Sequence, residues 1–283
     1  MKKLLFSLTA IAFLIGPNAW AKDRISWLVI HYPPFEVLRG PDKGQGRFDL
    51  LIDLYIKNLP QYEHEKVEMN WARFWTGIRE GKHIINPFSI RTEERTHYAL
   101  FSQPNIFGLP VEVAMKKSAL EKLGNPASIS LRGLLYDKWL KGIRESKRSY
   151  GQVLDEIMQS RGAESNMEGA PISADSIVRM ILSGRADYTI EYAFITRYLA
   201  ARLAGEYPEP IVCLPIEEAP PFQETSVACP RNEWGEKVIR DIDAMLDKLK
   251  KDPGYLRILQ VGYNEKESKI IRDNYESYFL NLE

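Results

Sequence analysis

Asn86 to Pro104 reads NPFSIRTEERTHYALFSQP. Within it a Thr-x-x-Arg turn, Thr92-Glu93-Glu94-Arg95, leads into a strand end at Phe101 and Ser102. A planar guanidinium offers a fixed fork of donors that matches a carboxylate bidentately, and it stays charged when water is excluded. Arg95 is therefore the first candidate to grip an acidic ligand, with Thr92 beside it. The plainer alternative is that Arg91 and Arg95 pair with Glu93 or Glu94 on a solvated turn, where an ion pair contributes little.

Working outward, the residues before this stretch alternate strand and helix. Ile25 to Ile30 is an apolar strand that stops at His31-Tyr32-Pro33-Pro34-Phe35. A turn rich in glycine, Gly40 to Gly46, precedes Phe48, Leu51, Ile52, Tyr55, Ile56 and Leu59, whose three-and-four spacing predicts an amphipathic helix ended by Pro60. A strand near 65–69, a helix near 71–80 and a strand near 84–88 follow. A second alternating series runs from Ser130 to Val212, and Glu233 to Leu249 is again amphipathic. Alternation of this kind predicts an α/β fold, in one or two domains.

The Thr92–Ser102 pattern, Gly142 to Gly151 (GIRESKRSYG) and Gly184-Arg185-Ala186-Asp187 together resemble the family 3 solute-binding proteins of the bacterial periplasm, over nearly all of the chain after residue 21. The resemblance implies two lobes, each a sheet flanked by helices, joined by two crossing hinge strands with the ligand between them. It places lobe 1 at 22–110 and 226–283, lobe 2 at 111–225, and the crossings near 107–115 and 211–227. A single doubly wound sheet is the alternative architecture.

The same resemblance assigns Arg95 to a ligand carboxylate and puts Ser146 where the family offers a hydroxyl and backbone amides. A helix N-terminus with unpaired N–H groups suits that role, with Ser149 as its cap. Tyr32 and Phe35 stand at a strand's carboxyl end, the edge where open α/β sheets take ligands. Trp71 and Trp75 are one helical turn apart, and Trp71 is the better candidate for ligand contact. The chain departs from the family at two places. The Gly-Lys-x-Asp turn lacks its Asp after Gly81-Lys82-His83, and Tyr192 stands where an Asp usually binds the ligand's α-amino group. The nearest carboxylate is Glu191, which one step along a strand would turn to the opposite face.

Residues 1–21 read as a cleavable secretory signal: Lys2 and Lys3, the apolar run Leu4 to Ile15, then Ala19-Trp20-Ala21. The run falls short of the roughly 20 residues a spanning helix needs, so a periplasmic protein without membrane insertion is expected. Lys and Arg equal Asp and Glu at 38 each, and loss of Lys2 and Lys3 leaves a charge of −2. With no basic tract, nucleic acid is a poor partner. His31, His64, His83 and His97 show no ligand spacing, so neither a metal nor another cofactor is expected. Cys213 and Cys229 lie in strand-like runs joined by a short Pro-rich link; a disulfide and two buried free thiols are both open.

The function these observations imply is capture of a small, carboxylate-bearing solute by a monomer, for an ABC permease. Two rivals accompany it. One is a ligand-responsive partner of a membrane receptor, and the other a lyase-like enzyme with Glu191 as general acid.

Overall fold

The computed structural model describes residues 22–160 and 162–280; the signal read at 1–21 lies outside them. Among the described residues no helix is long and apolar enough to cross a membrane.

The chain begins with β1 (Arg24–Val29), α1 (Arg47–Asn58), β2 (Glu63–Glu68), α2 (Trp71–Arg79), β3 (Ile84–Ser89), α3 (Glu93–Thr96) and β4 (Ala99–Gly108). It crosses at 109–111 into β5 (Glu112–Lys116), α4 (Lys117–Lys122), α5 (Leu131–Leu134), β6 (Gly142–Glu145), α6 (Gln152–Gln159), β7 (Met167–Ala170), α7 (Ala174–Leu182), β8 (Tyr188–Glu191), α8 (Ala193–Leu203) and β9 (Ile211–Pro215). It then returns through 216–222 to β10 (Gln223–Pro230), α9 (Glu233–Leu249), α10 (Pro253–Leu259) and α11 (Glu265–Asn274).

These strands form two five-stranded sheets, ordered β2-β1-β3-β10-β4 and β7-β6-β8-β5-β9. In each sheet the first three strands are parallel, and the fourth, β10 or β5, pairs antiparallel with the strand on either side of it, β3 and β4 or β8 and β9. In the first sheet the central strands β1 and β3 are buried along nearly their whole length, which is why β1 reads as a nearly unbroken apolar run, while β2 at the edge stays largely exposed. The first lobe's core joins Trp27, Tyr55 and Phe107 to Val238, Ile242 and Leu246 of α9; the second centres on Val113, Met115, Leu154 and Tyr188. A third cluster spans the lobes, where Phe35 after β1 packs against Val178 of α7 and Phe194 of α8.

The pair Cys213 and Cys229 corrects one of the two options left open by the sequence. Both thiols are free, because β9 belongs to the second sheet and β10 to the first. Burial pushes each thiol up to about 12, so neither is poised to react.

The loop from β1 to α1 is pinned from behind by Glu36. Tyr32 and Glu36 exchange backbone hydrogen bonds of 2.9 and 3.0 Å, and the Glu36 carboxyl accepts from Ile30 N at 2.8 Å. Its other oxygen is buried and, among the described residues, without a partner, and burial pushes its pKa up to about 8. The unfolded carboxyl titrates near 4.5, so the folded state binds the proton more tightly. The stability that this proton supplies is complete below the unfolded pKa and is lost as pH rises toward 8. Glu36→Gln keeps the neutral shape. Its stability should therefore gain on the wild type progressively between pH 5 and 8, by about 1.4 kcal/mol for each pH step of one across that window. Melting temperatures of the two proteins against pH check this; a gap independent of pH would contradict the assignment.

Candidate functional site

The first lobe supplies a cation on an aromatic floor. Thr92 caps α3, its hydroxyl accepting from Arg95 N at 3.4 Å. The short turn so formed lays the half-buried Arg95 side chain over Trp75, with the guanidinium carbon 4.5 Å from the ring centroid. Among the described residues the Arg95 guanidinium makes one hydrogen bond, to Ile90 O at 2.8 Å, and no ion pair. Burial pulls its pKa below the usual arginine value, with Tyr98, Asp155 and Glu94 pulling the other way. Arginine nevertheless remains charged in proteins. Ser89, at the end of β3 and lining the same cavity as Arg95, is 2% exposed, and among the described residues its hydroxyl has no partner. A buried, unpartnered hydroxyl is costly unless something else completes it.

Asn86 and Ser102, also polar and close by, serve the fold instead. Asn86 Oδ1 accepts from Phe88 N, and Ser102 Oγ accepts from Val227 N while donating to Gln103 O.

The second lobe supplies a buried ion pair that the sequence did not reveal. After β6 the chain turns through Lys147, whose φ is +65°. A left-handed lysine is uncommon, and such residues gather at functional loops. The next residue, Arg148, forks onto Glu191 at 2.7 and 2.9 Å. Tyr32 Oη donates to the same carboxylate at 2.6 Å and Tyr192 N at 2.7 Å. The guanidinium lies 4.8 Å from the centroid of the Tyr150 ring and about as close to those of Tyr32 and Tyr192, at 5.5 and 5.6 Å. Burial is the largest influence on Arg148 and opposes its charge, but Glu191, Tyr32 and Tyr150 together outweigh burial and hold the guanidinium well above the ordinary arginine value. Burial in turn raises the Tyr32 hydroxyl well above its usual value, keeping it a donor.

Between these two halves lies a cavity of about 100 Å³, lined by Tyr32, Trp71, Ser89 and Arg95 on one side and Arg148 and Tyr192 on the other. A wider recess of about 740 Å³ adjoins it, and the two share Trp75, Arg95, Lys147, Arg148 and Ser149.

The sequence matches no protein-family model and no curated protein. Solved structures do resemble it. A histidine kinase sensor domain described as similar to periplasmic binding proteins is 16% identical, with a TM-score of 0.66 over 84% of this chain and 94% of that one. The fold is that of the periplasmic binding proteins. An ancestral arginine-binding protein bound to arginine aligns at 16% identity and a TM-score of 0.64, over 85% and 97% of the two chains. An amino acid ABC transporter substrate-binding protein from Streptococcus pneumoniae, bound to L-arginine, aligns at 17% and 0.64, over 87% and 96%.

Within this periplasmic-binding-protein fold the residues singled out from the sequence fall in three places. Arg95, Tyr32 and Trp71 line the inner cavity. Phe35 also borders it, but its ring is mostly consumed in packing, stacked 4.3 Å from Phe48 and edge-on to Phe194 at 4.7 Å. Thr92 and Ser146 line the outer recess instead. Ser146 N donates to Ala170 O, which ties this residue into the edge of the second sheet; Ser149, whose hydroxyl binds Asp155, reaches the inner cavity. Glu191 does turn toward the cleft, because β8 ends there and the alternation of faces ends with it. Four donors converge on its two oxygens, an arrangement that leaves it no proton to give as a general acid.

Arg148 and Arg47 are the functional candidates missed in the sequence. Arg47, 1% exposed, donates twice to Val261 O and sits 4.1 Å from the centroid of the Tyr263 ring, so it clamps the loop beside the cleft. The signal for Arg148 was its place in a basic loop, Arg144 to Arg148, just before the Tyr150-Gly151 pair. Among the described residues no cluster suited to a metal ion occurs.

Proposed function

We propose that this chain is a divergent family 3 solute-binding protein, exported through residues 1–21, that captures a small carboxylate-bearing solute between its lobes as a monomer. The observation that carries the reading is Arg95: a cation on an aromatic floor in the interlobe cavity, with one hydrogen bond of its own and the unpartnered hydroxyl of Ser89 alongside. A guanidinium so placed has donors to spare for a carboxylate, and Ser89 can add another. Ligand that touches both lobes favours their closed arrangement, by the difference in its affinity for open and closed forms.

The similar substrate-binding proteins support delivery to an ABC permease. The similar histidine kinase sensor domain supports a second reading, in which the same capture is reported to a membrane receptor.

The test is a thermal-shift screen of residues 22–283 against carboxylic acids, amino acids, amines and sugars. A ligand present at about 100 times its Kd stabilises by about 2.7 kcal/mol, or roughly 5–10 °C for a chain of this size. A shift confined to compounds with a carboxylate is expected; a shift with neutral sugars or amines alone would overturn the reading.

A further inference from the structure

The reading above leaves open which carboxylates fit, and the charge inventory of the cleft narrows them. We infer that the ligand is a carboxylic acid with a compact apolar or planar body and no ammonium group; this rests on Arg95 holding its carboxylate.

A ligand ammonium needs acceptors, above all a carboxylate, when it leaves water. The Glu191 carboxylate, held between Arg148 and Tyr32 beside the cleft, is already committed. Glu191 Oε1 accepts from Arg148 Nη2 and Tyr192 N, and Oε2 from Arg148 Nη1 and Tyr32 Oη. An ionised carboxylate offers about four lone-pair sites, and all four are filled. Arg148 thus acts as a resident cation, and its fork is part of the protein.

The other acids nearby, Glu94 and Asp155, line the outer recess: Asp155 accepts from Ser149 Oγ and Tyr150 N, and Glu94 pairs with Arg79 at 3.7 Å. Among the described residues the inner cavity is lined by no Asp or Glu, while Arg95, Lys147 and Arg148 all border it. Arg47 borders it too, but its guanidinium is engaged by Val261 O. In the inner cavity an ammonium would therefore meet like charge on both sides, with no carboxylate in the lining to pair it. The same cations favour an anion, and Arg148 keeps N–H groups beyond the two given to Glu191.

Aromatic rings make up much of the remaining wall, with Phe48, Trp71, Trp75 and Tyr192 among them; the polar groups there, Ser89, Ser149, Gln223 and Thr225, are neutral. Such rings take up planar or branched apolar bodies, and the neutral hydroxyls and amide beside them can hydrogen-bond a ligand but supply no counter-charge for an ammonium. Aryl or branched-chain acids, including 2-oxo acids, meet all three conditions.

The experiment compares compounds that share a carbon skeleton, by calorimetry on residues 22–283. The pairs are phenylpyruvate and 3-phenylpropionate against L-phenylalanine, and 4-methyl-2-oxovalerate and 4-methylvalerate against L-leucine. At least one amine-free acid is expected to bind about 100-fold or more tighter than its amino acid, the penalty for a desolvated cation without a partner. Equal or tighter binding of the amino acids would overturn the inference while leaving carboxylate capture standing. The Arg95→Ala variant separates the two: if it binds the amine-free acid as well as wild type does, the carboxylate reading itself fails. Binding by neither member of any pair would overturn the inference outright.

Discussion

Arg95→Ala is expected to abolish most ligand affinity while leaving the protein folded. The residue contributes one hydrogen bond to Ile90 O and the coverage of one face of Trp75, so its removal should move the melting temperature little. Its partner carboxylate, in contrast, would be left without its cation once the lobes close on the ligand. Truncating one side of such a pair costs about 2–5 kcal/mol, or roughly 30-fold to several thousand-fold in Kd. Arg95→Lys should recover only part of this, because a lysine keeps the charge and loses the fork. Calorimetry with an acid found in the thermal screen checks both. Unchanged affinity in the alanine variant would remove Arg95 from the site.

The second large effect is one of stability. Arg148→Met deletes the partner of Glu191, whose side chain is only 5% exposed. A buried carboxylate stripped of its counterion typically costs about 3–5 kcal/mol, far more than the net value of the pair. For a domain of this size that is a fall on the order of 10 °C in melting temperature. Replacing both partners, Arg148→Met with Glu191→Leu, removes the uncompensated charge and should restore most of the loss, although Tyr32 Oη and Tyr192 N then surrender an acceptor. Thermal unfolding of the single and double variants decides it. A double variant less stable than the single would show that the pair stabilises the fold beyond merely neutralising a buried charge.

How much of this could be read from the sequence depended on the range of the interaction. The strand at 24–29 and the helices at 47–58 and 233–249 were legible because each follows from a local apolar period. Insertion of β10 between β3 and β4 was not, since its pairing joins residues more than a hundred positions apart, such as Ala228 with Phe101. The misplaced disulfide option has the same origin: two neighbouring strand-like runs entered different sheets.

Arg95 was legible because the turn that aims it, from Thr92 to Arg95, is itself local. Arg148 was not, for its identity as an internal counterion rests on Glu191, 43 positions later, and on Tyr32 from the other lobe. The expected opposite-face placement of Glu191 failed for a simple reason. Strand alternation governs side-chain direction only inside the strand, and β8 stops at that residue.

The most direct test of the account is a crystal structure of residues 22–283 grown with the tightest-binding carboxylic acid from the screen. The account predicts the ligand carboxylate within about 3 Å of the Arg95 guanidinium, its apolar body among Trp71, Trp75 and Tyr192, and the Arg148 fork still on Glu191. A ligand seated elsewhere, or a carboxylate held in the cleft without Arg95, would contradict it.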